Sequence, residues 1–373
     1  MMPSAPQALE SLQQQVLQAI RERTPLQPRA GGSKRWLDPD PAHASRAAVL
    51  DLRPYAGVVA HEPSELYLTA RAGTPLSEVE ERLAEHGQCL PFDPPRFARD
   101  GAQATIGGMV AAGLSGPGRL GAGAVRDFVL GASLLNGRAE ILHFGGQVMK
   151  NVAGFDVSRL LAGSMGSLGA ILEVSLKVLP VVRAQATLSF EMPQAQAIEA
   201  INRWSGQPLP LSASAWWADG DGRGRLFVRL RGARATVDSA RVRLGGECLE
   251  AQQADALWQE LREQRLDWFE ASWQERAERA LWRIAVPSAT PPLPLEGATL
   301  IEWGGAQRWL HGAVDAEQVR SVAAAVGGHA TRFRGGDAAV AVFSPPSPPL
   351  DRIHRQLKLA FDPHGLFPRC FGA

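Results

Sequence analysis

Gly163-Ser-Met-Gly-Ser-Leu-Gly169, running on into Ala170-Ile-Leu-Glu-Val-Ser-Leu-Lys-Val178, is the stretch whose reading decides the fold. Val157–Ala162 before it looks helical. After it Val174, Leu176 and Val178 alternate with Glu173, Ser175 and Lys177, which is strand patterning closed by Pro180. A Rossmann fingerprint needs the reverse order, strand, then G-x-G-x-x-G, then helix. Gly121-Ala-Gly123 lacks a strong strand before it, and no G-x-x-x-x-G-K-[ST] occurs, so a P-loop is excluded. Two further turns poor in side chains precede this one, Arg29-Ala-Gly-Gly-Ser-Lys34 and Thr105-Ile-Gly-Gly108. A backbone that approaches a pyrophosphate needs residues without Cβ and N–H groups aimed at the anion. A tight turn explains any one of the three segments. Three in one predicted domain point to a large diphosphate cofactor held in a non-Rossmann frame.

Composition bounds the classes of function. The 373 residues suggest two or three compact units, and 45% hydrophobic with 21% charged residues is ordinary for a chain with a real core. Lys+Arg is 39 against Asp+Glu 38, a balance that offers nucleic acid or anionic lipid no global attraction. No apolar run approaches the ~18 residues of a membrane span. The start Met1-Met2-Pro3-Ser4 has no basic stretch leading into an apolar one, so neither a signal peptide nor an intrinsic membrane segment is expected and a cytoplasmic location is. The widely spaced Cys89, Cys248 and Cys370 exclude a disulfide framework and a four-cysteine metal or cluster site within this chain. Only four lysines occur (Lys34, Lys150, Lys177 and Lys358), so Lys34 and Lys150 beside glycine-rich segments stand out as compact ammonium groups in an arginine-rich chain.

Outward from the glycine turns, Gln7–Glu22 reads as an amphipathic helix. Val49–Leu52, Val58–His61 and Leu66–Ala70 read as strands, and Thr74 as the N-cap of a helix ending at Gly87. Asn136-Gly137 between Phe128–Leu135 and Ala139–Phe144 is a hairpin signal. Past Val181 the texture changes: every tryptophan except Trp36 lies between Trp204 and Trp309. There strand candidates (Thr187–Phe190, Leu226–Leu230, Leu281–Val286, Thr299–Trp303) alternate with helical ones (Ala195–Trp204, Ala233–Leu244, Ala254–Gln264, Ala316–Val326), as in a smaller α+β domain. Arg223, Arg225, Arg229, Arg231, Arg234, Arg241 and Arg243 crowd one segment, readable as a solvated strand face or as a docking patch for an acidic partner subunit. Phe343–Pro349 forms a hinge before a short helix at Leu350–Phe361.

Arg29–Lys34, Thr105–Gly108, Lys150-Asn-Val-Ala-Gly-Phe-Asp156, Gly163–Gly169 and Glu173–Val178 together resemble the FAD-binding domain of the vanillyl-alcohol oxidase/PCMH flavoprotein superfamily. In the second half Trp303-Gly-Gly-Ala306, Arg308-Trp-Leu310 and Gly327-Gly-His-Ala-Thr-Arg-Phe333 are similar to the FAD-binding subunits of glycolate oxidase complexes, and the likeness runs from about Leu50 to about Gly365. It implies an α+β chain: a PCMH-type two-subdomain FAD-binding domain at 1–181, a reduced α+β cap domain at 182–340, and a C-terminal segment, 341–373, returning to the FAD domain.

The resemblance assigns Arg29, Ala30, Gly31, Gly32, Ser33 and Lys34 to the FAD pyrophosphate turn, and Thr105, Gly107, Gly108 and Gly113 to the ADP and ribityl portion. Gly163, Ser164, Gly166 and Gly169 would pack on the flavin or its phosphates, with the backbone near Ile171 beside the adenine. Lys150 and Asn151 would place donors at the flavin pyrimidine edge, or else form a solvent-facing pair. Members with covalent flavin use a histidine in the first turn; Lys34 stands there, which implies non-covalent FAD. Relatives that oxidise 2-hydroxy acids themselves carry a His-x-Gly-Asp-Gly-Asn-x-His run, absent here, and an Asn-Pro-Gly-Arg ending, here Phe367-Pro-Arg-Cys370. His329 with Arg332 is left as a candidate catalytic pair for a carboxylate, or a structural histidine beside a loop arginine. No metal site is expected. The implied function is oxidation of glycolate, a small 2-hydroxy acid, within a complex holding a catalytic flavin subunit and an iron–sulfur subunit, this chain's FAD relaying electrons. A standalone 2-hydroxy-acid dehydrogenase, a sugar or aldehyde oxidase, and a flavin-free scaffold stay open as alternatives.

Overall fold

Residues 3–146, 156–218, 223–273 and 279–370 are described by a computed structural model. They divide into two units, one of Met1–Ser115, Ala124–Val181 and Pro345–Ala373, the other of Gly116–Gly123 and Val182–Ser344. The expected boundary at 181/182 thus has an addition: the short stretch Gly116–Gly123 leaves the first unit and packs within the second.

In the first unit α1 (Ala5–Glu22) buries Ala8, Leu12, Val16 and Ala19, a helical stripe, in a core shared with Leu26, Leu50, Leu366 and Phe367. The strands β1 (Leu26–Arg29) and β2 (Ala48–Asp51) pair in parallel. Five antiparallel strands follow, β3 (Val58–Glu62), β4 (Tyr67–Arg71), β5 (Val129–Leu135), β6 (Ile141–Gly145) and β7 (Ala170–Lys177), in spatial order β3-β4-β7-β5-β6. The decisive alternating stretch is therefore the central strand. Its polar Ser175 is buried and bonds Thr69 at 2.8 Å, so the polar set of the alternation is packed at that position. The helices α2 (Leu76–Ala84) and α3 (Ile106–Ala112) lie between β4 and β5 in sequence.

Two expectations are corrected. Thr74 does not cap α2; Pro75 is the N-cap, and Thr74 Oγ1 instead donates to Arg71 O at 2.7 Å and accepts from Gly57 N at 2.9 Å. The Asn136-Gly137 hairpin exists, but it is a longer loop closed by Asn136 Oδ1, which accepts from the Arg138 and Glu140 amides at 2.9 Å each. Gly137 is required by tertiary contact: a Cβ there would lie 2.2 Å from Asp362 Oδ1.

The second unit is an eight-stranded antiparallel sheet. Its strands are β8 (Ala184–Glu191), β9 (Leu211–Ala218), β10 (Gly224–Gly232), the short Glu247–Cys248, then β11 (Leu281–Ala285), β12 (Ala298–Glu302), β13 (Gln307–His311) and β14 (His329–Arg334). Glu247–Cys248 edges the sheet beside β8, and the order continues β10-β9-β12-β13-β11-β14. The helices α4 (Gln194–Ser205) and α5 (Arg234–Leu244) cover Leu188, Trp216, Leu226 and Val228, and α6 (Ala251–Glu263) follows them in sequence. Beyond β13, α7 (Ala316–Ala325) covers Trp282, Ile284, Leu310 and Ala330. The arginine-rich strand is not wholly solvated. Arg229 is 2% exposed, its guanidinium 5.2 Å from the Trp258 ring and its Nε donating to Ser212 Oγ. The chain closes in the first unit with α8 (Pro348–Phe361).

Candidate functional site

The end of β1 delivers Arg29 to the turn Ala30–Lys34. The Gln103 amide donates to Gly31 O at 3.1 Å and Gly32 bridges Gln103. Gly31 packs so tightly that a Cβ would lie 1.7 Å from Gln103 O, and Gly32 sits at φ +74°, a conformation that costs any other residue. Just beyond Gln103, Thr105 caps α3 through Oγ1, accepting from the Gly108 amide at 3.4 Å. The third turn docks on the other end of the same helix, because the Gly163 amide donates to Val110 O and the Met165 amide to Ala111 O, each at 2.9 Å. The three glycine turns of the sequence therefore converge on α3.

Between them lies a cavity of about 170 Å³ whose wall includes Arg29–Arg35, Gln103, Thr105, Gly108 and Met165. Its chemistry suits an anion. Arg29, half-buried, and Arg35, exposed, have no side-chain hydrogen bond or ion pair among the described residues. Lys34 Nζ donates to the buried Ser33 Oγ at 3.1 Å, which fixes both at the wall. The side-chain oxygen of Gln27, also on the wall, is buried without a partner. Such a wall, with Arg29, Lys34 and Arg35 against the single carboxylate of Asp38, small residues and an orphaned polar atom, fits a diphosphate.

A second, larger cavity of about 530 Å³ opens between Leu160–Leu168 and α8 with the tail behind it. Lys358 builds this corner. Its Nζ donates to Ser167 O at 2.7 Å, Phe367 O at 2.8 Å and Pro368 O at 3.2 Å, and pairs with Asp362 at 2.6 Å. Burial pushes the Lys358 ammonium pKa below its ordinary value, opposed by Asp362. Burial also raises the Cys370 thiol on the same wall, to about 12, which keeps it protonated and unreactive.

The residues singled out from sequence divide accordingly. Arg29, Ala30, Gly31, Gly32, Ser33, Lys34, Thr105 and Gly108 share the first cavity; Gly163 and Ser164 line the second. Gly107, Gly113, Gly166, Gly169 and Ile171 line neither. Gly107 packs on Ala72, Gly113 on the Gly163 backbone, Gly166 near Pro28 and Gly169 against Leu135 O, while Ile171 is paired with Leu134 inside the sheet. Lys150 and Asn151, like the Asp219–Gly222 run, lie outside the described residues. His329 and Arg332 do not form one site. Strand alternation sends them to opposite faces, and Arg332 is spent on the carbonyls of Val340 at 2.9 Å and Gly335 at 2.8 Å. Sequence reasoning missed Gln27, Arg35, Gln103 and Met165. Arg35, next to Lys34, was the one with a local signal; Gln103 is recruited by a bridge that no local pattern announces. Among the described residues no group of three or more His, Cys, Asp or Glu is placed to hold a metal ion, and no helix is long and apolar enough to cross a membrane.

This architecture is that of an α+β flavoprotein of the PCMH type, and residues 4–145 match the FAD binding domain family. The solved alkyldihydroxyacetonephosphate synthase shares the fold, with a TM-score of 0.65 at 16% identity over 96% of this chain and 74% of that one. The glycolate oxidase subunit GlcE of Escherichia coli (strain K12) is 44% identical over 358 residues, 96% of this chain and 95% of that protein. The chain belongs to this family of FAD-dependent oxidoreductase subunits, and FAD is its cofactor. More distant likenesses are the glycolate oxidase subunit GlcD of Bacillus subtilis (strain 168), 26% identical over 49% of this chain and 38% of that one, and a D-lactate dehydrogenase of Archaeoglobus fulgidus, 29% identical over 38% and 31%.

Proposed function

We propose that the chain holds FAD without a covalent bond in the cradle around α3 and serves as the FAD-binding subunit of a complex that oxidises glycolate to glyoxylate, passing electrons to an iron–sulfur subunit. The observation that carries the residue-level reading is the Gly31–Gln103 approach, which leaves a wall free of side chains beside the open guanidiniums of Arg29 and Arg35. Those two cations and Lys34 would neutralise the pyrophosphate, and the Ala30–Ser33 backbone would bring its amides against it. Bound FAD would supply two-electron acceptance from the substrate and one-electron release to the next carrier. None of the described residues on the cavity wall is a histidine, cysteine or tyrosine, side chains that attach flavins, which supports a non-covalent cofactor. The three cysteines, spread over positions 89, 248 and 370, support a partner as the holder of the clusters. The proposed location is cytoplasmic, with any membrane attachment supplied by partner subunits.

The test is purification of the chain alone and with its partner subunits. Expected are flavin absorbance in both preparations, release of intact FAD on denaturation, and bleaching by glycolate under anaerobic conditions in the complex. A colourless complex, or flavin that stays with the denatured polypeptide, would overturn the reading.

A further inference from the structure

The face of the second unit's sheet opposite α7 carries a polar cluster with no assigned role. Register puts Arg283 opposite Trp309 and Thr331, Ala285 opposite Gln307 and His329, and Glu302 opposite Gln307, so these side chains share one face. Gln307 is the centre of a relay. Its Oε1 accepts from Arg283 Nε at 2.7 Å and its Nε2 donates to Glu302 Oε2 at 2.9 Å, while Trp309 Nε1 donates to that same oxygen at 2.6 Å. Two atoms groups are thereby aimed and left over. The terminal nitrogens of Arg283, a half-buried residue, and Oε1 of the buried Glu302 have no hydrogen-bond partner among the described residues.

The neighbouring backbone is built to hold this arrangement. Trp303, Gly304 and Gly305 turn at φ +54°, +68° and +101°, an unfavourable conformation for tryptophan, fixed where Trp303 Nε1 donates to Gly116 O at 3.0 Å. The guanidiniums of Arg119 and Arg283 lie 4.2 Å and 5.1 Å from the Trp303 ring centre. Burial, with the like charge of Arg119, lowers the Arg283 pKa to about 10, and burial raises that of Glu302 to about 7 against the pull of its two donors and Arg283. A guanidinium beside a carboxyl that is half neutral at pH 7 leaves a local excess of positive charge, which an anion would relieve.

We infer that Arg283 and Glu302 form a binding site for a small 2-hydroxy carboxylate, the two terminal nitrogens of Arg283 taking the carboxylate as a fork and Glu302 Oε1 facing the hydroxyl. The inference rests on the glycolate reading for its substrate class and deepens it, since it gives this chain a substrate site of its own. Gln307 is a positioning residue, aiming both partners. Besides Arg283 and Arg119, register places His329 and His311 on this face, with Arg225 and Arg229 farther along it on β10. An anion placed beside Glu302 favours its protonated form, so binding takes up a proton near neutral pH and weakens as pH rises.

The experiment is calorimetric titration of the full FAD-loaded chain with glycolate, in buffers of differing ionisation enthalpy, for the wild type and for Arg283→Gln, Arg283→Lys and Glu302→Gln, each checked by circular dichroism. Expected are proton uptake with glycolate in the wild type, at least about a tenfold loss of affinity in Arg283→Gln, a smaller loss in Arg283→Lys, and binding without proton uptake in Glu302→Gln. Unchanged affinity in a folded Arg283→Gln, equal affinity for inorganic phosphate, or loss of flavin in place of glycolate binding in Arg283→Gln would each overturn the site. A yellow chain that binds no glycolate fails this inference alone; a colourless chain that binds it with proton uptake fails the FAD reading alone.

Discussion

Gly31 faces the backbone carbonyl of Gln103 so closely that the smallest side chain would sit 1.7 Å from that oxygen. No rotamer change relieves such a clash, because the backbone fixes where Cβ lies and the oxygen it meets is main chain; Gly31→Ala must push the first turn away from the segment leading to α3. Flavin content of the purified Gly31→Ala chain is expected to fall by about tenfold or more. Gly87→Ala is the control: its φ of +63° is one that alanine adopts at a cost, but nothing lies within 4 Å of its Cβ position, so it should cost about 1 kcal/mol of stability and no flavin. Equal flavin content in the two variants would remove the turn from the cofactor site.

The two open guanidiniums of the same wall make a second prediction. Arg29→Gln and Arg35→Gln delete a charge without opening a core, since one residue is half-buried and the other exposed. Each is expected to weaken FAD retention by roughly tenfold, as one charge-assisted contact to phosphate would, and to flatten the dependence of retention on salt. Fluorescence of FAD released on dilution into buffers of rising ionic strength measures both. Retention at the wild-type level in both variants would assign the cofactor to another wall.

How much of this was legible before folding depends on the range of the interaction involved. The α1 stripe and the strand after Gly169 carry periodicity within a few residues, and both elements exist. Glycine turns also announce themselves, but not their purpose. Gly31 and Gly107 look alike in sequence, yet one meets the Gln103 carbonyl beside a cavity and the other packs on Ala72 inside the fold. Thr74 carries a good capping signal that a tertiary bond from Gly57 overrides. His329 and Arg332 are close in sequence, but strand alternation sends their side chains to opposite faces. Arg283, Glu302 and Gln307 lie on three different strands, and only sheet register brings them together.

Lys358, one of four lysines in the chain, holds the C-terminal tail. It pairs with Asp362, whose side chain is fully buried and also accepts from the Leu366 and Phe367 amides at 3.0 Å and 2.8 Å. Lys358→Met would strand that carboxylate and release three carbonyls, so a loss of about 3–5 kcal/mol in urea unfolding is expected. Adding Asp362→Asn should recover part of it, because the stranded charge is then gone. A loss below about 1 kcal/mol would show the pair to be marginal, as exposed ion pairs are.

Glu302 supplies the pH dependence. Burial lifts its carboxyl from 4.5 to about 7, so the folded chain keeps a proton that the unfolded chain has already released at intermediate pH. The stability tied to that proton is complete below pH 4.5 and is lost progressively as pH rises through 7. The gap corresponds to about 3 kcal/mol between pH 4.5 and pH 8. Glu302→Gln keeps an acceptor for Trp309 and Gln307 but cannot ionise, so it should remove this slope and leave the variant relatively more stable above neutral pH. Urea unfolding of both proteins at several pH values between about pH 5 and pH 8 measures the difference, with the other titrating groups common to both cancelling. Parallel stability curves would mean that Glu302 is ionised in the folded chain across that range, and that the charge of Arg283 outweighs its burial.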